Sequence, residues 1–297
     1  MTPTSIRFKK MLELKQCTIS GVARSLDLSP TTLHLWLNDK YKGNVGKINK
    51  AVEQYMEREL LREENVNIPF VETSVAQDIF EIANTCHVES EIGVCCGCAG
   101  VGKTYAVKMY ALEHSDVILI ETDFGYTPKV LFSEIHKTLG FEGTGALHNM
   151  VIDIVDKLKN SGRLIIVDEA ENLPYRALEL LRRIYDKARV GILLVGMPKL
   201  LKNLQGDKGQ YTQLYSRVGV LAELQPIADN DIVAITSKVT PNSVSIYPKL
   251  SAFCGGNTRV LTKLLVRASR IAKLNNTAID EDVLNAALSQ LLWSQKQ

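Results

Sequence analysis

The 297-residue sequence predicts an α/β fold: a parallel sheet with helices on both faces, a small all-α domain ahead of it and a small helical domain behind. Three observations predict it. Short aliphatic runs alternate with helical stretches, as a parallel sheet built through crossover helices requires. The first run leads directly into a glycine-rich phosphate-loop motif. Ahead of that, residues 18–38 carry the apolar spacing of two short helices packed across a tight turn.

In that front segment, Val22, Leu26, Leu28, Leu33 and Trp36 supply the apolar contacts, and Ala23 is small where the helices would cross. Ser29 is a natural N-cap, with Pro30 at the first helical position. The pattern resembles a helix-turn-helix of the phage-repressor kind, whose second helix enters the major groove. Thr31, Thr32 and His34 would then face bases, while Lys40 and Lys42 would reach phosphates. Asp27 stands where such a turn often carries glycine. A three-helix protein-docking module is the alternative for the same residues. A helix over Lys47–Glu64 follows, and Asn65–Pro69 reads as a linker. The expected organisation is residues 1–65 as a helix-turn-helix domain, 66–225 as the nucleotide-binding core and 226–297 as a helical lid.

Ile92, Val94 and Cys95 form a short buried strand before Gly97, Cys98, Ala99, Gly100, Val101, Gly102, Lys103 and Thr104, a complete G-x-x-x-x-G-K-T; a helix from Tyr105 to Leu112 follows. The glycines let backbone N–H groups curl around phosphate oxygens, and the helix N-terminus adds a favourable partial charge. Lys103 would reach the β- and γ-phosphates of ATP, and the Thr104 hydroxyl would ligate Mg²⁺. Cys98 has a steric role inside the loop. Val117–Glu121 precedes a helix over Pro128–Leu139. Leu164–Val167 is an aliphatic strand ending in Asp168 and Glu169, placed to hold Mg²⁺ and to polarise the attacking water respectively. The alternative is a strand-end acidic pair that only caps the next turn. A helix over Arg176–Lys187 and a strand over Gly191–Val195 complete the alternation.

The phosphate loop, the Asp168–Ala170 triplet, Gly191–Leu201 (GILLVGMPKLL), Leu214–Arg217 (LYSR) and Gly255–Arg259 (GGNTR) resemble the AAA+ ATPases of DNA transposition, including those of transposable phages. Asn38–Asn44 (NDKYKGN) resembles the segment closing that family's helix-turn-helix, so the resemblance runs along essentially the whole chain. It implies an ATPase that binds duplex DNA without sequence choice, oligomerises on it as a helical filament, marks it as target and activates a DDE-type transposase. It also implies that Arg217 serves as an arginine finger for a neighbouring subunit, and that Arg259 is the lid arginine sensing nucleotide. One departure is Met197, where the family usually places Asn or Thr to orient the lytic water; either neighbouring Ser or Thr groups substitute, or hydrolysis is slow. A replication loader of the AAA+ class, or a repressor-like regulator using ATP as a switch, are the alternatives.

Net charge is only +2, but it is unevenly spread. Residues 1–50 hold nine Lys or Arg against three acids, and between Asp231 and Asp280 there are seven basic residues and no acid. Within the second region Arg259, Lys263, Arg267 and Arg270 fall on one face of a helix, opposite Val260, Leu261, Leu264, Leu265, Ala268 and Ile271. Arg182, Arg183, Lys187 and Arg189 form a third cluster. Each is a candidate phosphate-contacting surface, or else a solvated face. Of the six cysteines, Cys95, Cys96 and Cys98 have no partner cluster at metal-ligand spacing, so a reducing cytoplasm is expected; the resemblance implies that of a bacterial host cell. No run is long enough to span a membrane, and Met1–Lys10 lacks the apolar segment of a secretory signal.

Overall fold

The computed structural model describes residues 3–15, 18–63, 68–206, 211–241 and 244–291, and the chain divides into two compact units, Met1–Asn67 and Ile68–Gln297. Most of the linker expected at Asn65–Pro69, and the boundary near residue 66, lie outside the described residues.

The first unit holds α1 (Pro3–Lys15), α2 (Ile19–Ser25), α3 (Pro30–Leu37) and α4 (Val45–Glu63). Its core gathers Phe8 from α1, Val22 and Ala23 from α2, Leu33 and Trp36 from α3, and Ile48 and Val52 from α4. Phe8 meets Trp36 edge to face, with ring centroids 5.9 Å apart, and the indole N–H donates to Asn49 at 2.9 Å. Ser29 caps α3 by accepting from the Thr32 N–H at 3.0 Å. Asp27 takes the left-handed conformation (φ 53°) that the turn between α2 and α3 demands. Aspartate tolerates that region better than most residues, which is why glycine is dispensable here.

The second unit opens with α5 (Ser74–Glu89) and then alternates β1 (Ile92–Gly97), α6 (Lys103–Glu113), β2 (Val117–Glu121), α7 (Pro128–Thr138), α8 (Leu147–Leu158), β3 (Leu164–Asp168), α9 (Tyr175–Ala188), β4 (Gly191–Gly196), α10 (Lys199–Gln205), α11 (Thr212–Tyr215) and β5 (Val218–Leu224). It closes with α12 (Asp229–Val239), α13 (Tyr247–Cys254), α14 (Thr258–Asn275) and α15 (Glu281–Ser289). The five strands are parallel in the order β2-β3-β4-β1-β5. Because side chains alternate across a strand, β1 sends Val94 and Cys96 to one face and Cys95 to the other. The β3 and β4 residues divide the same way. One face packs on α5, α6 and the C-terminal helices, the other on α7 to α10.

Gly191 and Gly93 let α5 lie directly on β4 and β1, since a Cβ on either would collide with Cys86. The CCxC cluster is thereby split between the two sheet faces and the loop. Burial pushes the Cys86 thiol up to about 12 and Cys96 up to about 11, so both are protonated core groups rather than thiolate ligands. No helix among the described residues is long and apolar enough to cross a membrane.

Candidate nucleotide site

The carboxyl ends of β1, β4 and β3 lie side by side, and the open end of a parallel sheet is where ligands collect. Here they bound a cleft of about 720 Å³. Its floor is the phosphate loop. Gly100 (φ 86°) and Gly102 (φ 111°) hold conformations that a Cβ would strain, and Gly102 starts α6 without a side-chain cap. The first N–H groups of α6 are therefore left to a ligand. Lys103 and Thr104, expected in the loop, form the first turn of this helix. The Lys103 ammonium donates to the carbonyls of Gly97 at 2.7 Å and Cys98 at 2.9 Å. Burial draws it below the usual lysine range, while Glu171 and Asp168 pull it back up.

Asp168 closes β3 almost fully buried. One carboxylate oxygen accepts from the Glu169 N–H at 2.9 Å, and the other is buried with no hydrogen-bond partner. Burial pushes the Asp168 carboxyl above the usual range, opposed by the Thr104 hydroxyl beside it. Glu169 is exposed and left-handed (φ 52°), and the Asn172 amide donates to its carboxylate at 3.2 Å. Thr122, buried just beyond β2, donates its hydroxyl to the carbonyls of Asp168 at 3.0 Å and Glu169 at 2.8 Å. The strand end is thus pinned from the neighbouring strand.

At the end of β4, Met197 lines the cleft half-exposed, as its position in the sequence implied. The polar groups nearest that strand end come from elsewhere: Glu171 lies against Gly196, its Oε2 buried without a partner, and Lys199 opens α10. Arg259 lines the same cleft from the start of α14. A smaller apolar pocket of about 80 Å³ adjoins the loop, lined by Ile68, Phe70, Val71, Tyr105, Ala106 and Ile235 among others. Phe70 and Tyr105 meet there edge to face at 5.3 Å.

Arg217 does not line the cleft. It precedes β5, half exposed, with its Nε 3.1 Å from Asp186. Arg182 is a correction to the basic-cluster expectation: only 13% exposed, it is held by Glu179 at 2.7 Å and by Asp186. Both acids lie one helical turn away, so its charge is spent within α9. Arg183 is 60% exposed and leans on Glu179 at 3.3 Å. Lys263, Arg267 and Arg270 are exposed along α14, whose opposite stripe from Val260 to Ala268 is buried. In the first unit Thr31, His34, Lys40 and Lys42 are exposed, whereas Thr32 is half-buried and its hydroxyl lies 2.8 Å from that of Ser29.

Residues 87–204, from the end of α5 to α10, match the AAA domain family. The chain carries an AAA domain and is an ATPase. This ATPase is 29% identical over 272 residues to the Mu-like prophage FluMu DNA transposition protein B of Haemophilus influenzae, covering 86% of this chain and 93% of the relative. It is 25% identical over 290 residues to the ATP-dependent target DNA activator B of Escherichia phage Mu, covering 95% and 93% respectively. Among solved structures, the Aeropyrum pernix ORC2 protein in its ADP form superposes with a TM-score of 0.59 at 17% identity, over 77% of this chain and 72% of that one. A Walker-type ATPase of Pyrococcus abyssi superposes with a TM-score of 0.54 at 15% identity, over 74% and 72%. These structural likenesses bear on the fold alone.

Proposed function

We propose that this ATPase binds duplex DNA without sequence choice in its ATP state, oligomerises on it, marks it as target and activates a partner transposase of the DDE type. The observation that carries the reading is the reach of the match. Similarity to the two transposition B proteins extends over 86% and 95% of the chain, well beyond the AAA domain at residues 87–204. A shared nucleotide fold alone would not produce that.

In this reading Lys103 and the amides of residues 97–105 hold the ATP phosphates, and the apolar pocket beside Tyr105 takes the base. The Thr104 hydroxyl and the orphaned Asp168 oxygen suit Mg²⁺, since a buried carboxylate with an open lone pair is costly until a cation or proton meets it. Mg²⁺ would supply charge neutralisation at the phosphates. Glu169 accepts the proton of the attacking water, steadied by Asn172 and Thr122. Arg259 meets the phosphates from the lid, and Arg217 leaves Asp186 to serve a neighbouring subunit's site. Lys263, Arg267 and Arg270, with Lys40, Lys42 and the exposed start of α3, contact DNA.

Electron microscopy on random-sequence duplex DNA tests this. ATP·Mg²⁺-dependent helical filaments that vanish in ADP are expected; particles at fixed sites, or indifference to nucleotide, would replace it with an ATP-switched regulator or a loader.

A further inference from the structure

The outer side of the phosphate loop is occupied as fully as its inner side is prepared. Three successive loop carbonyls accept hydrogen bonds from the start of α14. The Asn257 amide donates to Ala99 at 2.9 Å, the Arg259 backbone N–H to Gly100 at 3.1 Å, and the Thr258 hydroxyl to Val101 at 3.2 Å. Asn257 works at both ends of this contact. While its Nδ2 holds the loop, its Oδ1 accepts from the Val260 N–H at 3.1 Å and so caps α14. The approach is close enough that a Cβ on Gly100 would collide with the Asn257 side chain. Behind it, the Gly256 carbonyl accepts from the Ile227 N–H at 3.0 Å, tying this hinge to the chain that leaves β5.

We infer that Asn257 and Thr258 form a latch through which phosphate occupancy of the loop orders α14, and with it the basic face of Lys263, Arg267 and Arg270. Each loop peptide offers its N–H to a phosphate oxygen and its carbonyl to the lid. A phosphate on one side polarises the peptide and strengthens the bond on the other. By linkage the effect is reciprocal: lid docking tightens nucleotide binding by the same factor that nucleotide tightens docking. Asn257 and Thr258 are positioning residues in this scheme, because their side chains act through the Ala99 and Val101 carbonyls of the loop. The inference rests on ATP occupying this loop and is independent of any DNA or transposase.

Two full-length variants separate latch from cap. Asn257→Ser keeps an N-cap of comparable strength but is too short to reach Ala99. Thr258→Val keeps the Asn257 cap and removes only the hydroxyl. Nucleotide affinity is read by titration with a fluorescent ATP analogue, and α14 order by amide hydrogen exchange with and without ATP·Mg²⁺. Loss of one neutral hydrogen bond predicts affinity about 2- to 10-fold weaker. The ATP-induced gain in α14 protection should shrink by the same factor in each variant. A merely structural defect would lower protection equally with and without ATP, leaving the increment intact, and that result overturns the latch. So does wild-type affinity together with a wild-type increment in both variants. Wild-type protein that fails to bind ATP would instead refute the nucleotide site itself.

Discussion

The Glu169–Asn172 pair offers a sharp test of how this site handles its attacking water. Glu169 is held at φ 52°, a region costing a non-glycine residue about 1–2 kcal/mol, so the fold spends conformational energy to aim this carboxylate. Thr122 fixes the backbone at both flanking carbonyls, and the Asn172 amide at 3.2 Å is the side-chain donor that fixes the carboxylate itself. The Met197 side chain, at the end of β4, has no N–H or O–H to offer it. Asn172→Ala removes that donor without touching the phosphate loop. A hydrogen bond to a buried charged group is worth about 1.5–3 kcal/mol, but Glu169 is exposed, so about 0.5–1.5 kcal/mol is the appropriate range. That corresponds to a fall in kcat of about 2- to 12-fold.

Steady-state hydrolysis at saturating ATP measures it, with ATP-analogue affinity expected to stay at the wild-type value. Glu169→Gln, which removes the base, should lower kcat by about 10²–10⁴-fold. If Asn172 acts only through Glu169, adding Asn172→Ala to Glu169→Gln changes nothing further. Additive losses in the double variant, or an unchanged kcat in the single one, would refute the positioning argument.

Three further outcomes follow from the same geometry. Burial raises the folded-state pKa of Asp168 above its unfolded value, so the native state binds the extra proton and stability falls as pH rises from about 4 through the folded pKa. The cost is fully present once the pH has passed that folded-state pKa. Asp168→Asn should therefore raise the thermal midpoint of the metal-free protein at pH 7, with the gain shrinking toward pH 4, and should abolish stabilisation by Mg²⁺ with ATP; a lowered midpoint at pH 7 contradicts it. Arg217→Ala should bind ATP normally yet lose about 10³-fold in hydrolysis, and regain activity when mixed with Lys103→Ala subunits that still supply Arg217. A mixture that stays inactive removes the finger role. Replacing Lys263, Arg267 and Arg270 with Ala should flatten the slope of log K against log salt for duplex DNA by roughly 2.7, three contacts at about 0.9 each, as filter binding would show. An unchanged slope makes that face of α14 a solvated one.

What was legible in the chain was what local periodicity encodes. The strand runs, the loop glycines and the cap at Ser29 depend on neighbours within a few residues, and the structure carries each of them within a residue or two. Other local signals lie beside these residues as well. Arg182 has acids three residues before and four after it, enough to predict that its charge is consumed within α9. Thr32 stands three residues after the capping Ser29, close enough for the two hydroxyls to lie 2.8 Å apart. Thr122, Glu171 and Asn257 are of another kind. Their functions arise from partners 47, 25 and 158 residues away, respectively the Glu169 carbonyl, Gly196 and the Ala99 carbonyl, and no spacing rule reaches that far. Asn257 was half visible: an asparagine before an amphipathic helix is a cap by its type. That its amide also grips the phosphate loop follows only from the fold, because a cap uses the side-chain oxygen and leaves the nitrogen free for whatever the chain brings alongside.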